Sequence, residues 1–240
     1  MLYNVNVEGN TADEVWTELY DLLVNNKDNS DSRDGEVISE IINASVCIKD
    51  PTRAILLNKI RKMPMRYAVG ELLWYLSAKP ELKPIRLYTK AWDRMSDDGE
   101  YVNSNYGYCI KHKFGFDQYE AVKDLLTKDP GTRQAVIHIK EPRDLINNPT
   151  KDVNCTIALQ FFVREGKLFE TAHMRSNDLW MGFPYDVFQF TALQVLMAME
   201  LGYELGMYMH YAGSLHLYKR DYEKSIKNID KRLDELIGVM

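Results

Sequence analysis

His173-Met-Arg-Ser-Asn-Asp-Leu-Trp-Met-Gly-Phe-Pro-Tyr-Asp186 is the stretch on which the reading of this chain turns. It gathers an arginine, a serine, an asparagine and two carboxylates between strongly apolar segments. Cys155 sits at the start of the strand pattern just before it. A polar cluster inside core-like sequence is costly unless its groups pair with one another or meet a ligand. The stretch therefore reads as the floor of a nucleotide pocket, with Cys155 as its nucleophile.

Outward from it, the periodicity alternates between two and 3.6 residues. Ala135 to Ile139, Thr156 to Val163 and Lys167 to Met174 read as strands, with Glu165-Gly166 as a tight hairpin turn. Phe183 to Leu201 reads as a long apolar helix, Met207 to Tyr211 as a strand and Asp221 to Ile237 as a charged terminal helix. Upstream, Thr11-Ala-Asp-Glu14 is a capping box opening a helix from about Ala12 to Val24. Asn25 to Gly35 is a polar loop carrying Arg33, and Val37 to Ile48 alternates like a strand. Met65 to Leu76, after Pro64, is apolar nearly all round and predicts a buried helix. Lys79 to Gly115 is loop-rich, and Asp117-Gln-Tyr-Glu120 opens a helix that ends before Pro130. With no repeat or linker, residues 1–240 form one α+β domain around a mixed sheet flanked by helices.

The formal net charge of −5 argues against a broad nucleic-acid binder, which needs a basic face. Three widely spaced cysteines do not make a disulfide framework and fit a reducing compartment. The first residues lack a signal-peptide pattern, and no apolar run is long enough for a bilayer. A cytoplasmic protein with no membrane partner is expected.

Each candidate has a plainer alternative. Cys155 could be a buried structural cysteine, but Arg133 and Arg175 lie on neighbouring segments, and a guanidinium favours thiolate. A cysteine hydrolase would need His173 or His216 as base, and no hydrolase signature surrounds Cys155. Cys109-Ile-Lys-His112 has half the spacing of a zinc site and no second pair follows, so no metal is expected. Glu71, among Val69, Leu72, Leu73 and Trp74, is either half of an ion pair with Arg66 or an acid/base group. Arg33, Arg133 and Arg175 are either isolated surface arginines or a set converging on a phosphate, which arginine grips as a planar fork.

Taken together, these residues resemble the thymidylate synthase family in order and spacing. Cys155, Gln160-Phe-Phe-Val163, Arg175-Ser-Asn-Asp178, Gly182-Phe-Pro-Tyr-Asp186 and Gly213-Ser-Leu-His-Leu-Tyr218 carry the likeness. So do Glu71-Leu-Leu-Trp-Tyr-Leu76, Ala91-Trp-Asp93 and Pro130-Gly-Thr-Arg133. The resemblance implies a homodimer packed sheet on sheet, a pyrimidine mononucleotide substrate and 5,10-methylenetetrahydrofolate as one-carbon donor. It implies that Cys155 adds to C6 of the base while Glu71 orders water and moves protons. Arg33, Arg175, Ser176 and Asn177 would contact the nucleotide, chiefly at its phosphate, and Arg133 would reach across to the partner subunit's nucleotide. His216 and Tyr218 would hold the deoxyribose, and Asp178 and Trp92 would face the folate.

Four positions depart from the usual pattern. Gln134 replaces a second arginine, Met95 replaces a tryptophan of the folate wall, and the Leu236-Ile-Gly-Val-Met240 tail is a poor likeness. The fourth is Asp186, where synthases carry the asparagine that reads uracil. Together with Asn103-Ser-Asn-Tyr-Gly107, it is similar to the deoxycytidylate hydroxymethylases of T-even-like phages. The physical reason is the base edge. Uracil offers an N3–H donor and an O4 acceptor, which an amide matches; cytosine offers an N3 acceptor and an amino donor. A carboxyl sharing one proton with N3 matches the cytosine edge, and donation there also stabilises charge released when a thiolate adds at C6. The sequence thus predicts dCMP hydroxymethylation. A thymidylate synthase, a dUMP or CMP hydroxymethylase, a dCMP methylase and a non-catalytic nucleotide binder remain as alternatives.

Overall fold

The computed structural model describes residues 1–26, 29–32, 35–61, 63–146 and 150–225. One mixed sheet of eight strands carries the architecture. Its path runs β1 (Leu2–Gly9), β3 (Val37–Ile48), β8 (Glu204–Tyr218), β6 (Lys167–Met174), β5 (Thr156–Arg164) and β4 (Val136–His138), in that spatial order. Two short strands flank this path: β2 (Ser30–Asp31) on β3 and β7 (Asn177–Asp178) on β8. The mixed sheet with flanking helices is the expected α+β architecture.

Strand β8 holds the sheet together. It runs antiparallel to β3 from Ile48↔Tyr208 to Ile38↔Tyr218. On its other edge it pairs parallel with β6 as far as Met174↔Ala212, then with β7 from Asn177↔Leu215. Between those two pairings the chain steps outward at Arg175 and Ser176. Gly213 makes the step possible, because a Cβ there would lie 3.0 Å from the Arg175 carbonyl oxygen. That oxygen instead accepts the Ser214 N–H at 3.2 Å.

Helix α1 (Ala12–Asn25) covers one end of the sheet, with the Thr11 hydroxyl capping Glu14 N–H as the capping box predicts. Helix α6 (Phe183–Leu201) lies across β6 and β8 and ends at left-handed Gly202. Gln194 is buried beneath it and donates to the carbonyls of Leu168 and Gly206. Helix α2 (Met65–Leu76) packs against α6 and against two short helices, α3 (Leu82–Ile85) and α4 (Tyr106–Lys111). Helix α5 (Gln118–Lys128) is capped by the Asp117 carboxylate and rests on β4.

Several expectations need correction. Helix α2 is not buried all round: Val69, Leu73 and Leu76 are exposed, and the face carrying Ala68, Gly70, Glu71 and Trp74 is buried. The last strand extends to Tyr218 instead of stopping at Tyr211, because pairing with β3 and β7 continues past the glycine. The loop-rich segment from Lys79 to Gly115 also holds the short helices α3 and α4, which were not anticipated, nor was β1. The Glu165-Gly166 hairpin is present, with positive φ at both residues. The chain is helical again over 219–225, and the rest of the expected terminal helix and the 236–240 tail lie outside the described residues. Among the described residues no helix is long and apolar enough to cross a membrane.

Gly107 marks the tightest helix contact, since a Cβ there would sit 1.6 Å from the Tyr75 carbonyl oxygen. Gly107→Ala must push α4 off α2, and overpacking of that kind costs about 1–3 kcal/mol. The expected outcome is a thermal midpoint lower by roughly 3–10 °C in calorimetry, and an unchanged midpoint would contradict this packing.

Candidate active site

The end of α2, the start of α6 and the outward step after β6 enclose a cleft of about 300 Å³. Cys155, Glu71, Trp92, Ser176, Asn177, Asp178 and Asp186 all line it, so seven of the residues singled out in the sequence meet in one place. They arrive on five different segments, and the fold alone brings them together.

Cys155 stands immediately before β5, with its carbonyl accepting the Arg175 N–H at 2.9 Å. Arg175 is exposed and folds back along the chain, where Nε donates to the Asn154 carbonyl and Nη2 to the Val153 carbonyl, each at 3.0 Å. Its charge favours the thiolate, as expected, but it does not prevail. Burial pushes the Cys155 thiol up, and the carboxylates of Asp186, Asp152 and Asp178 oppose Arg175. The net balance holds the Cys155 thiol above the ordinary cysteine range, which favours its protonated form at neutral pH.

Glu71 is buried without the ion pair considered for it: Arg66 stacks over the Tyr88 ring, 6.0 Å from its centroid. The Glu71 carboxylate instead accepts from the Tyr67 hydroxyl, one helical turn away, and from Gln189 Nε2 at 3.2 Å. Trp92 donates to the Tyr67 oxygen at 3.1 Å and so joins the same network. Burial pushes the Glu71 carboxyl up to about 7, although these hydrogen bonds pull the other way. At neutral pH it is poised to give or take a proton.

Asp186, in the first turn of α6, accepts from Asn177 Nδ2 at 2.7 Å through Oδ2. Burial, with Glu71 and Asp178 adding negative charge, pushes its carboxyl up to about 8. Gly182 lets this pair lie flat, for a Cβ would come within 3.0 Å of Asn177 Nδ2 and 3.2 Å of Asp186 Oδ2. Asp178 uses Oδ1 to bind the backbone N–H groups of Trp180 and Met181, which closes the turn between β7 and α6. Arg61 anchors that turn from outside the stretch: it donates to the Trp180 carbonyl and stacks on the Trp180 and Tyr185 rings.

Other expected residues lie apart. His216 pairs with Asp178 in the sheet register, and burial lowers its imidazole pKa against the pull of Asp178. Tyr218 stands two residues further along β8, under the Arg220 guanidinium. Arg133 is exposed in a separate groove with Arg164 and Glu165, and its carbonyl accepts from Gln160. Arg33 lies outside the described residues. His173 stacks on Tyr211, and neither His173 nor His216 lines the cleft, which leaves Cys155 without the imidazole a cysteine hydrolase needs. Cys109 is buried in the core, and no group of metal-binding side chains occurs among the described residues.

The sequence reading missed Tyr67, Gln189, Tyr106, Asp152 and Arg94. Tyr67 was findable, because Tyr67 and Glu71 are four apart on one helix and so share a face. Gln189 was not, since 118 residues separate it from Glu71.

The raised Cys155 thiol has a direct consequence. Carboxamidomethylation of Cys155, followed by peptide mass spectrometry, is expected to accelerate continuously as pH rises through 9, the ordinary cysteine value. Asp186→Asn removes one opposing carboxylate and should shift that profile to lower pH. A rate that levels off below pH 8 in the unmodified protein would contradict a protonated resting thiol.

The thymidylate synthase family profile matches residues 14–237. A deoxyuridylate hydroxymethyltransferase of Bacillus phage SP01 is 35% identical over 204 residues, which is 80% of this chain and 53% of that protein. A thymidylate synthase of Bacillus licheniformis is 30% identical over 168 residues, 67% of this chain and 60% of the relative. The aligned region thus spans between half and two thirds of these relatives. The fold matches that of thermostable thymidylate synthase A from Bacillus subtilis with a TM-score of 0.74, at 23% identity over 92% of this chain and 84% of that one. The chain belongs to the thymidylate synthase family.

Proposed function

We propose that this protein transfers a one-carbon unit from 5,10-methylenetetrahydrofolate to C5 of dCMP and completes the reaction with water, giving 5-hydroxymethyl-dCMP. The observation that carries the substrate is Asp186. Its carboxyl, pushed up to about 8, is a neutral acid at pH 7 on the wall of the cleft that holds Cys155. Asn177 occupies Oδ2, which leaves Oδ1 for a base. A carboxylic acid gives its proton from Oδ1 to cytosine N3, and the second lone pair of Oδ2 can accept from the 4-amino group.

Cys155 Sγ adds to C6, its proton passing to a carboxylate of the cleft. As negative charge moves into the ring, the proton from Asp186 at N3 stabilises it, and C5 becomes nucleophilic. Bound folate would supply a carbon at the oxidation level of formaldehyde. The cleft suits such a group: Trp92, Met95 and Met181 form an apolar wall, and Asp178 provides a carboxylate at its edge. C5 would take that carbon. Glu71, poised near neutrality and braced by Tyr67 and Gln189, removes the C5 proton as tetrahydrofolate leaves with the electron pair of the broken carbon–nitrogen bond. The same carboxylate orders the water that adds to the exocyclic methylene left behind. Expulsion of Cys155 from C6 restores aromaticity.

Arg175 and Ser176, at the outward step after β6, take the phosphate, together with Arg33. His216 and Tyr218 take the deoxyribose hydroxyl. Arg133 faces away from this cleft, which suits a role in a homodimer where it reaches the nucleotide of the partner subunit. Gln134 leaves that phosphate with one fewer guanidinium. A second reading, dUMP hydroxymethylation, draws on the likeness to the phage SP01 protein. A neutral Asp186 can donate to O4 of uracil and accept from N3–H.

Mass analysis of product from dCMP or dUMP with methylenetetrahydrofolate decides base and outcome together. Hydroxymethyl-dCMP as the main product is expected, and methylated dUMP would refute the proposal. Asp186→Asn should move the dCMP-to-dUMP ratio of kcat/KM toward dUMP by roughly 10–100-fold, the effect of an unmatched buried polar pair. Because the neutral form of Asp186 is the active one, turnover of dCMP should fall above about pH 8. That limb should vanish in Asp186→Asn. Glu71→Gln should lower kcat by roughly 100-fold or more with the fold intact.

A further inference from the structure

Behind Asp186 lies a row of hydrogen bonds that the reaction itself does not use. Asn177 Oδ1 lies 3.1 Å from His210 Nε2, and His210 Nδ1 lies 2.9 Å from the Tyr208 hydroxyl. His210 is 1% exposed and Tyr208 fully buried, and neither reaches the cleft. Both belong to β8, where His210 sits between Val46 of β3 and Ala172 of β6. The edge of the Phe183 ring, 5.2 Å away centroid to centroid, fixes the imidazole plane. A histidine and a tyrosine buried at this depth are expensive unless every polar atom is matched, and here the matching has a direction.

We infer that Tyr208 and His210 are positioning residues that set the base preference of the cleft by dictating which way round the Asn177 amide lies. Nδ1 is the hydrogen-bond partner of the Tyr208 hydroxyl, and only donation to it leaves the buried phenol proton matched, so Tyr208 donates to Nδ1. The histidine must then carry its hydrogen on Nε2 and donate to Asn177 Oδ1. The amide consequently turns its NH₂ to Asp186, and Asp186 Oδ2 becomes an acceptor. The carboxyl proton is thereby confined to Oδ1, the oxygen left for the base, where it can be given to cytosine N3. Reversal of the amide would bring its oxygen to Oδ2 and draw the proton there. Oδ1 would then only accept, which suits the N3–H of uracil.

The surroundings keep the row in one state. Burial holds the imidazole down to about 3, with His173 contributing, so it stays neutral at physiological pH. The Tyr208 phenol is held up by burial and by Glu170 and Asp186, and so keeps its proton. Glu170 pairs in register with Tyr208 from β6, is fully buried, and its carboxyl oxygens have no hydrogen-bond partner among the described residues.

The inference rests on the dCMP reading for its sign, and the experiment separates the two. Steady-state kcat/KM for dCMP and for dUMP would be measured in the wild type, Tyr208→Phe, His210→Phe and His210→Gln, with folding checked by circular dichroism. Tyr208→Phe removes one buried oxygen and frees the tautomer. It should shift the dCMP-to-dUMP ratio toward dUMP by roughly 10-fold, as should His210→Phe, the scale of one misdirected buried hydrogen bond. His210→Gln can still present an N–H and should stay within about 3-fold of the wild type. A general loss of packing would lower both substrates alike. Independently of turnover, ¹⁵N shifts of His210 should show a protonated Nε2 and a bare Nδ1. An unchanged ratio in folded Tyr208→Phe, or a protonated Nδ1 in the wild type, overturns the inference. A wild type that prefers dUMP refutes the substrate reading, while the tautomer and the change of ratio still decide the role of Tyr208 and His210.

Discussion

Everything in the site depends on one strand having to serve two neighbours on the same edge. β8 is paired to β3 along nearly its whole length, so it cannot shift. β6 leaves it after Met174, and β7 takes over at Asn177. The two residues between cannot pair in the same way, and the chain steps aside there. Gly213 gives the Arg175 carbonyl room to approach, and the step is bolted by hydrogen bonds to Ser214 and Cys155. A break in a ladder inside a core would ordinarily be a defect. Here it delivers an arginine, a serine and an asparagine to the place where Cys155 ends its own approach to the sheet.

The second constraint is shortage of water. Glu71, Asp186 and Cys155 all carry their protons longer than they would in solution, and in each case burial is the largest cause. The cleft therefore stores protons on its acids and on its thiol, where a solvated site would release them. Storage of this kind costs stability, which the apolar packing of α2 and α6 must offset. Gln189 and Gln194, buried on the underside of α6, show how that packing accommodates polar atoms: their NH₂ groups are each spent on carbonyl or carboxylate oxygens.

Legibility from the sequence followed the range of the forces involved. Helices α1, α5 and α6 and the strands β3, β5 and β6 were readable, because caps, hairpin turns and periodicity act over a few residues. The exposed side of α2 was misread, since apolar composition alone does not say which face a neighbour covers. The 3.6-residue pattern could not reveal α4 either, whose six residues depend on the close approach of Gly107 to α2. At the site, Glu71 stood out as a carboxylate in apolar sequence, Cys155 as a lone cysteine beside a polar cluster, and Asp186 as a departure from the family's asparagine. His210 did not: in a run of Met207-Tyr-Met-His-Tyr211 it reads as one more strand residue, and its meaning comes entirely from Tyr208, Asn177 and Asp186. Arg61 was equally silent, because its partners are backbone and aromatic faces more than a hundred residues away.

The formal net charge of −5 counts every carboxyl as ionised. That count misrepresents the cleft. Asp186, pushed up to about 8, is mostly neutral at pH 7, Glu71 is ionised only part of the time, and burial also raises the distant Glu170. An anion approaching the cleft therefore meets a local potential less repulsive than the overall acidity suggests. By withholding ionisation from its own acids, the buried cleft is less negative than the composition of the chain implies.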